Sequence, residues 1–182
     1  MTFDSTADDE LRGQPVAAPL LDEAALLDEA LKKSGLIWVG PTVGSAKAVW
    51  HVWDGGRLYL LCGGSEQAAP VAAGEPAVVI ARSKDKGVRL VTVESSVEQL
   101  PQGEEWDRIA SVMQAKRLNS PDGDAAPQRW KRESVILRLT PATALAEAPG
   151  RYASTSAAAT PRATDAGTRV PRPWHLFGRT KR

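Results

Sequence analysis

The chain has 182 residues, 42% of them hydrophobic, and a formal net charge of +1. This length and composition predict a single hydrophobic core. The one cysteine, Cys62, excludes an internal disulfide and indicates a reducing compartment.

Charge is concentrated at the two ends of the chain. Eight acids and one base give residues 1–31 a net charge of −7, and seven bases and one acid give residues 151–182 a net charge of +6. We expect residues 1–18 and 149–182 to be disordered, on either side of a domain formed by residues 19–148. The chain has no secretory leader pattern and no stretch of membrane-span length, so we expect a cytoplasmic protein.

The first half of the domain predicts a helix and then strands. Apolar residues at helical spacing predict a helix over residues 20–33, which Gly35 ends. Residues 36–39 form a short apolar run typical of a strand. Residues 48–62 predict a β-hairpin, because Asp-Gly-Gly at 54–56 joins two β-rich runs. Residues 67–73 are expected to form a short helix.

The second half predicts another hairpin, a helix and a last strand. Residues 77–83 and 88–97 are β-rich and flank a Lys-Asp-Lys-Gly turn. Residues 104–118 carry an apolar stripe with acids in the first turn, which predicts a helix. Residues 120–128 are expected to form a polar loop, and residues 134–139 the last strand.

This order of elements predicts an α+β domain with a small six-stranded antiparallel barrel and flanking helices. Four segments carry a resemblance to a known family: AVWHVWDGGRLYLLCGG, ARSKDKGVRLVTVESSVEQL, EEWDRIASVMQAKRLN and RWKRESVILRLTP. Together they resemble the pyridoxamine 5′-phosphate oxidase-like, FMN-binding split-barrel superfamily. The closing residues 138–141, Arg-Leu-Thr-Pro, are similar to the Arg-Leu-x-Pro ending common there. The resemblance covers residues 20–141.

The resemblance implies a homodimer that holds FMN, or in some branches F420, in grooves between the subunits. It also implies two-electron oxidation or reduction of a small molecule, although some branches bind haem. In that family, Arg or Lys from barrel strands and from the helix after the third strand usually hold the phosphate. Here the segment after Cys62, GGSEQAAPVAAGE, contains no Lys or Arg. The candidates that match the next barrel strand are Arg82, Ser83 and Lys84.

A doubly charged phosphate needs at least two donors in a preorganised cradle, and Arg82, Ser83 and Lys84 offer such a set. Gly63 and Gly64 would add backbone amides if they formed a nest before a helix. The alternative interpretation is that the three polar residues are ordinary solvent-facing residues at a strand end.

Trp50 and His51 are further candidate cofactor contacts. His51 has the chemistry of a haem ligand, an acid–base group or a donor to a flavin carbonyl, and Trp50 has a face on which a cofactor ring stacks. The alternative interpretation is a hydrogen-bonded barrel histidine beside a packing tryptophan. Cys62 is expected to be a small core residue. The catalytic residues stay unknown from the sequence, which contains no metal-ligand cluster, catalytic triad signature, dinucleotide motif or P-loop.

Two functions therefore remain open. The first is an FMN- or F420-dependent oxidoreductase that transfers hydride to or from an unknown small molecule. The second is a cofactor-free split-barrel binding protein, which the base-free residues 63–74 indicate. The basic C-terminal segment also has two possible roles. In one it contacts nucleic acid or another anionic partner, and in the other it serves solubility alone.

Overall fold

The computed structural model describes residues 22–117 and 122–154. Within these residues the chain forms three α-helices and seven β-strands, which confirms the α+β class. The helices are α1 (Glu23–Lys33), α2 (Glu104–Lys116) and α3 (Ala126–Glu133). The strands are β1 (Ile37–Gly40), β2 (Lys47–Val49), β3 (Val52–Asp54), β4 (Arg57–Cys62), β5 (Pro76–Arg82), β6 (Arg89–Gln99) and β7 (Val135–Pro141).

The seven described strands form one curled antiparallel sheet, a half-barrel, in the order β2-β1-β5-β6-β7-β4-β3. Its two edge strands, β2 and β3, follow each other directly in the chain. The predicted count of six strands is therefore wrong by one. The run expected to be a single strand breaks at Trp50 and His51, so that β2 pairs with β1 while β3 pairs with β4.

A side chain from a distant loop satisfies the main chain at this break, which we call the corner. The backbone N–H of Trp50 donates to Oε1 of Gln67, and Nε2 of Gln67 donates to the carbonyl of Trp50, both at 2.8 Å. Buried backbone groups need such partners, because an unpaired amide loses its hydrogen bonds to water without replacement. The Gln67 amide thus takes the place of a neighbouring strand at the corner.

The sheet separates two hydrophobic clusters. One contains the buried residues of α1 together with inward-facing residues of β1, β4, β5 and β6. The other lies between the opposite face and α2 and α3, and it includes Trp106 and Trp130, which are almost fully buried. The apolar stripe predicted for the second helix is confirmed: Trp106, Ile109, Ala110 and Met113 are its buried residues.

Helix α1 begins at a well-formed cap. The carboxylate of Asp22 accepts hydrogen bonds from the backbone N–H groups of Ala24 and Ala25, which satisfies two of the free donors at the helix start. Its buried face consists of Leu27, Ala30 and Leu31. This face orients the helix so that its basic C-terminal turn lies beside the sheet, where it contributes to the site described below.

Two connections differ from the sequence expectation. Residues 67–73 are irregular rather than helical. The side chain of Gln67, at their start, is hydrogen-bonded to the main chain of Trp50. The predicted loop of residues 120–128 instead leads into a short 3₁₀ turn at Gly123–Ala125 and then into α3. Buried Trp130 accounts for this helix, because its indole packs in the second hydrophobic cluster.

The expectations for the chain ends fall largely on residues 1–21 and 155–182, outside the described part. The first residues of the expected tail are an exception. The backbone N–H of Arg151 donates to the carbonyl of Ala148, and the hydroxyl of Tyr152 donates to the carbonyl of Leu90. Among the described residues, no helix has the length and apolar character needed to cross a membrane.

Replacing Gln67 by Met tests the corner. We expect the free energy of unfolding to fall by about 1–3 kcal/mol, because both main-chain groups of Trp50 lose their partner while the volume is kept. Urea denaturation with a constant m-value measures the loss. Gln99→Met makes the same chemical change at an exposed position and serves as the control. Equal midpoints for the two variants would contradict this role of Gln67.

Candidate functional site

The end of β4 is a glycine turn packed against α3. Gly63 and Gly64 have φ angles of 89° and 60°, which favour glycine. A Cβ on Gly64 would lie 2.9 Å from the carbonyl oxygen of Glu133. The N–H of Gly63 donates to the carbonyl of Gln67, and no helix follows. This turn and its close packing account for both glycines, and the condition given for an amide nest, a helix directly after them, is not met.

The same loop carries a buried carboxylate that the sequence analysis missed. The Glu66 side chain is 3% exposed and accepts hydrogen bonds from Arg129 Nη2 at 3.0 Å and Trp130 Nε1 at 2.9 Å. Arg117 also pairs with it, and the Arg117 guanidinium lies over the ring of Trp50. Burial raises the pKa of Glu66, but hydrogen bonds from Arg129, Arg117 and Trp130 outweigh burial and hold that pKa below its ordinary value.

No local sequence signal reveals this cluster. Its arginines come from the end of α2 and from α3, some fifty to sixty residues after Glu66 in the chain. The segment after Cys62, which contains no base, therefore has a structural role: its Glu66 pairs with Arg117 and Arg129. Cys62 is a buried core residue as expected, and burial raises the pKa of its thiol to about 11.

His51 lies at the corner and connects it to α1. Its Nε2 is 3.1 Å from the carbonyl oxygen of Leu31, so Nε2 carries the proton and donates it to that oxygen. Its Nδ1 is buried without a hydrogen-bond partner among the described residues. The imidazole lines a cavity of about 220 Å³ together with Trp50, Trp53 and Lys116. This Nε2 contact agrees with one of the two interpretations from the sequence, in which His51 is a hydrogen-bonded histidine of the barrel.

Arg82, Ser83 and Lys84 line a larger cleft of about 550 Å³ on the other side of the α1–β1 connection. The end of α1 supplies further donors, and Trp38 of β1 contributes an aromatic wall. We call this site the basic cleft and define it by Lys32, Lys33, Ser34, Trp38, Arg82, Ser83 and Lys84. The residues that line it include four cations, and the carboxylates of Glu29 and Asp85 line an adjoining cavity that shares Lys33, Arg82 and Lys84 with it.

Specific contacts hold the basic cleft in shape. The Arg82 guanidinium lies over the Trp38 ring at 4.7 Å, which fits the diagonal placement of these residues on paired strands. The Ser34 hydroxyl donates to the carbonyl of Ala30 at 2.7 Å and lies 3.4 Å from the carbonyl of Arg82. The helix end and the strand end are therefore joined through Ser34.

The four cations of the basic cleft differ in how far they are neutralised. Lys32 pairs with Asp28 and Lys33 with Glu29, both on the exposed side of α1. Such exposed pairs are weak and exchange readily with other anions. Arg82 and Lys84 form no ion pair within residues 22–117 and 122–154. The basic cleft is thus a place where an added anion finds uncompensated positive charge.

The structure distributes the predicted site residues over three neighbouring environments. Arg82, Ser83 and Lys84 line the basic cleft, Trp50 and His51 line the smaller cavity, and the two glycines pack against α3. Lys32, Ser34 and Gly35 line both cavities, so these two are adjacent. The part of the chain that the structure describes contains no group of three His, Cys, Asp or Glu residues arranged to hold a metal ion.

Comparison with solved structures finds matches at low sequence identity and with modest TM-scores. A Listeria innocua protein that carries the name of pyridoxamine 5′-phosphate oxidase matches 65% of this chain and 93% of its own, with 12% identity and a TM-score of 0.44. An F420 reductase matches 65% and 94%, with 19% identity and a TM-score of 0.44. The flavocytochrome Anf3 from Azotobacter vinelandii matches 84% and 87%, with 13% identity and a TM-score of 0.38.

Proteins whose names are of the kind that the sequence resembles are thus among the matched structures. No protein-family model and no curated protein matches the chain. At these TM-scores and identities, no residue role, ligand or activity is transferred from the matched structures to this chain.

The buried imidazole predicts a specific pH dependence. Burial lowers the pKa of His51, and the charge of Lys116 adds to this, although the Leu31 hydrogen bond opposes it. The unfolded chain therefore takes up a proton near pH 6.5 while the folded chain does not. Stability is retained above that pH and falls below it, by at most about 1.4 kcal/mol per pH unit.

Urea denaturation between pH 7 and 5 measures this loss. Carboxylates whose pKa values are lowered, such as that of Glu66, titrate below this window. His51→Gln keeps a donor for the Leu31 carbonyl but does not titrate, so its free energy of unfolding should be flatter over the same range. Parallel curves for the wild type and His51→Gln would show that His51 does not cause the pH dependence.

Proposed function

We propose that the chain binds a phosphate-bearing flavin-type cofactor, FMN or alternatively F420, in the basic cleft and acts as an oxidoreductase on a small molecule. The observation that carries this proposal is the convergence of Lys32, Lys33, Arg82 and Lys84 on one cleft, where Arg82 and Lys84 form no ion pair among the described residues.

The donors of the basic cleft fit a phosphate. Arg82 offers a planar fork that binds two phosphate oxygens, and Lys84 offers a compact charge beside it. The hydroxyls of Ser34 and Ser83 add neutral donors. A volume of about 550 Å³ lies within the range of roughly 300–1,000 Å³ that ligand pockets occupy. Trp38 supplies the apolar wall that such pockets share.

In this proposal, the residues of the chain bind the cofactor and orient it. Arg82 and Lys84 anchor the phosphate, and the stacking of Arg82 on Trp38 holds its guanidinium in place before the ligand arrives. The cofactor, when bound, supplies the hydride-transfer chemistry. Trp50 and His51 line the adjacent cavity and not the basic cleft, so we assign them no phosphate contact.

The wider organisation follows the resemblance. We propose a homodimer of split-barrel domains, each formed by residues 19–148, with the cofactor close to the subunit interface. The single cysteine excludes an internal disulfide and so suits a reducing cytoplasm, where we propose that the protein resides. In analytical ultracentrifugation, a single species of twice the monomer mass would support the dimer. A single species of the monomer mass would contradict it.

A second candidate function is a cofactor-free binding protein of the same fold. It is favoured by the loop after β4, where Glu66 and its arginines form a closed network instead of a basic cradle. The experiment that follows separates the two functions.

Titration with FMN, F420 and haem, each followed by its visible absorbance, tests the cofactor proposal. We expect the wild type to bind FMN or F420, and the Arg82→Ala, Lys84→Ala double variant to bind at least about tenfold more weakly. The reason is that one charge-assisted hydrogen bond contributes about 1.5–3 kcal/mol, and 1.4 kcal/mol corresponds to a factor of ten.

The control removes the same charge elsewhere. Lys131→Ala with Arg132→Ala lies on α3, outside the basic cleft, and should leave the affinity unchanged. Equal weakening in both double variants would mean a non-specific charge effect. Failure of the wild type to bind either FMN or F420 at micromolar concentration would overturn the enzyme proposal, and failure to bind all three ligands would favour the binding protein.

A further inference from the structure

We propose that the cavity beside His51 binds a small aromatic carboxylate, with its ring against Trp50 and Trp53 and its carboxylate at Lys116. This cavity is the one of about 220 Å³ described above, and we call it the corner cavity. The binding itself stands on the corner cavity alone. That the bound molecule is the substrate rests on the proposed function, because the corner cavity adjoins the basic cleft in which the cofactor would bind.

Uncompensated positive charge is the first ground for this inference. Lys116 is the exposed last residue of α2 and forms no ion pair within residues 22–117 and 122–154. Burial lowers the pKa of His51 most, and the charge of Lys116 lowers it further, so the imidazole lies in the field of this ammonium. The other lining cation, Lys32, is already paired with Asp28. A carboxylate in the corner cavity would therefore pair with Lys116.

The carbonyl groups at the end of α1 oppose an anion here, but two of them already have donors. The Leu31 carbonyl lies 3.1 Å from Nε2 of His51 and accepts its proton. The Ala30 carbonyl accepts from the backbone N–H of Ser34 at 3.1 Å and from its hydroxyl at 2.7 Å. Donors at these oxygens reduce the negative potential of the helix end. The attraction of Lys116 for an anion is therefore opposed less than at an uncapped helix end.

The aromatic walls of the corner cavity are held in place without a ligand, which is the second ground. The Arg117 guanidinium lies 5.6 Å from the centroid of the Trp50 ring. Nε1 of Trp53 donates to Oδ1 of Asp28 at 2.8 Å, and His51 is fixed by its hydrogen bond to α1. Aromatic rings prefer offset-stacked or edge-to-face contacts with other rings. A preformed wall also loses little conformational entropy when a ligand binds.

The volume of the corner cavity limits the size of its ligand. About 220 Å³ is below the roughly 300–1,000 Å³ of pockets that bind drug-sized molecules. One six-membered ring with one carboxylate belongs to this smaller class of ligands. The three fused rings of a flavin have more room in the basic cleft, whose volume is about 550 Å³. The two cavities thus suit two molecules of different size that lie side by side.

The basic cleft is the competing destination for a carboxylate, because Arg82 and Lys84 also bind anions in the proposed function. His51 distinguishes the two places, since it lines the corner cavity and not the basic cleft. The charged groups around it are Lys116 and Lys32, which line the corner cavity with it, and Asp28 beside Lys32. A carboxylate added among these groups favours the protonated imidazole and raises the pKa of His51.

Nuclear magnetic resonance titration of the full chain with benzoate, without any cofactor, tests the binding. We expect benzoate to raise the pKa of His51 in a saturable manner, with a dissociation constant of about 1 mM or below, which nine non-hydrogen atoms can provide. Acetate lacks the ring and benzyl alcohol lacks the charge, so both should bind more weakly. His51→Gln assigns the resonance. No saturable shift, or an equal shift at His175, would overturn the binding.

Matched variants test the assignment to Lys116. Lys116→Gln should weaken benzoate binding about tenfold, because a charge-assisted hydrogen bond is lost. The control Lys86→Gln removes the same charge from an exposed turn residue that does not line the corner cavity, and should leave the affinity unchanged. Equal weakening in both variants would overturn the assignment. Loss of binding in Arg82→Ala, Lys84→Ala but not in Lys116→Gln would place benzoate in the basic cleft and would also overturn it.

This inference and the proposed function fail in different ways. Benzoate binding that depends on Lys116, without FMN or F420 binding, would refute the cofactor proposal and leave the corner cavity as a binding site. FMN binding that depends on Arg82 and Lys84, without saturable benzoate binding, would refute this inference alone. Where both bind, the role as substrate requires nuclear Overhauser effects between benzoate and flavin protons, since reacting atoms approach to about 3–3.5 Å. Their absence would overturn that role.

Discussion

The break at Trp50 and His51 is the constraint on which the rest of the structure depends. One run of residues has to pair with β1 at its start and with β4 at its end, and a straight strand cannot serve both. The chain bends there, and the bend leaves main-chain groups of Trp50 without a neighbouring strand. Gln67 and the Leu31 carbonyl hold the bend from two sides. Because Leu31 belongs to α1, the corner also fixes where the basic end of that helix lies.

Local signals in the sequence predicted the regular elements well. The apolar stripe of α2 and the Asp-Gly-Gly turn depend on neighbours within one helix or one hairpin, so a short window contains the information. The corner was missed for the opposite reason. Its hydrogen bonds come from Gln67, seventeen residues away, and the β-rich residues around Trp50 read as one continuous strand. Helix α3 was missed because it is short and polar and is stabilised mainly by burial of Trp130.

The candidate site likewise combines residues that a short stretch of sequence reveals with residues that only the fold brings together. Arg82, Ser83 and Lys84 are contiguous, so their shared position at a strand end was visible in the sequence. The contribution of Lys32, Lys33 and Ser34 was not visible, because it arises from the packing of α1 against the sheet, some fifty residues earlier in the chain. Trp38 also becomes part of the site only through the register of β1 against β5, which brings Arg82 over its ring.

The loop after β4 is an unfavourable place for an added anion because it contains one buried acid. Glu66 is buried, and its hydrogen bonds with Arg117, Arg129 and Trp130 keep it ionised. A phosphate at the same loop would bring two negative groups together in a poorly hydrated place, which costs far more than an exposed pairing provides. The arginines near this loop are already neutralised by the protein itself. Positive charge that remains available to a ligand is instead found across the α1–β1 connection, at Arg82 and Lys84.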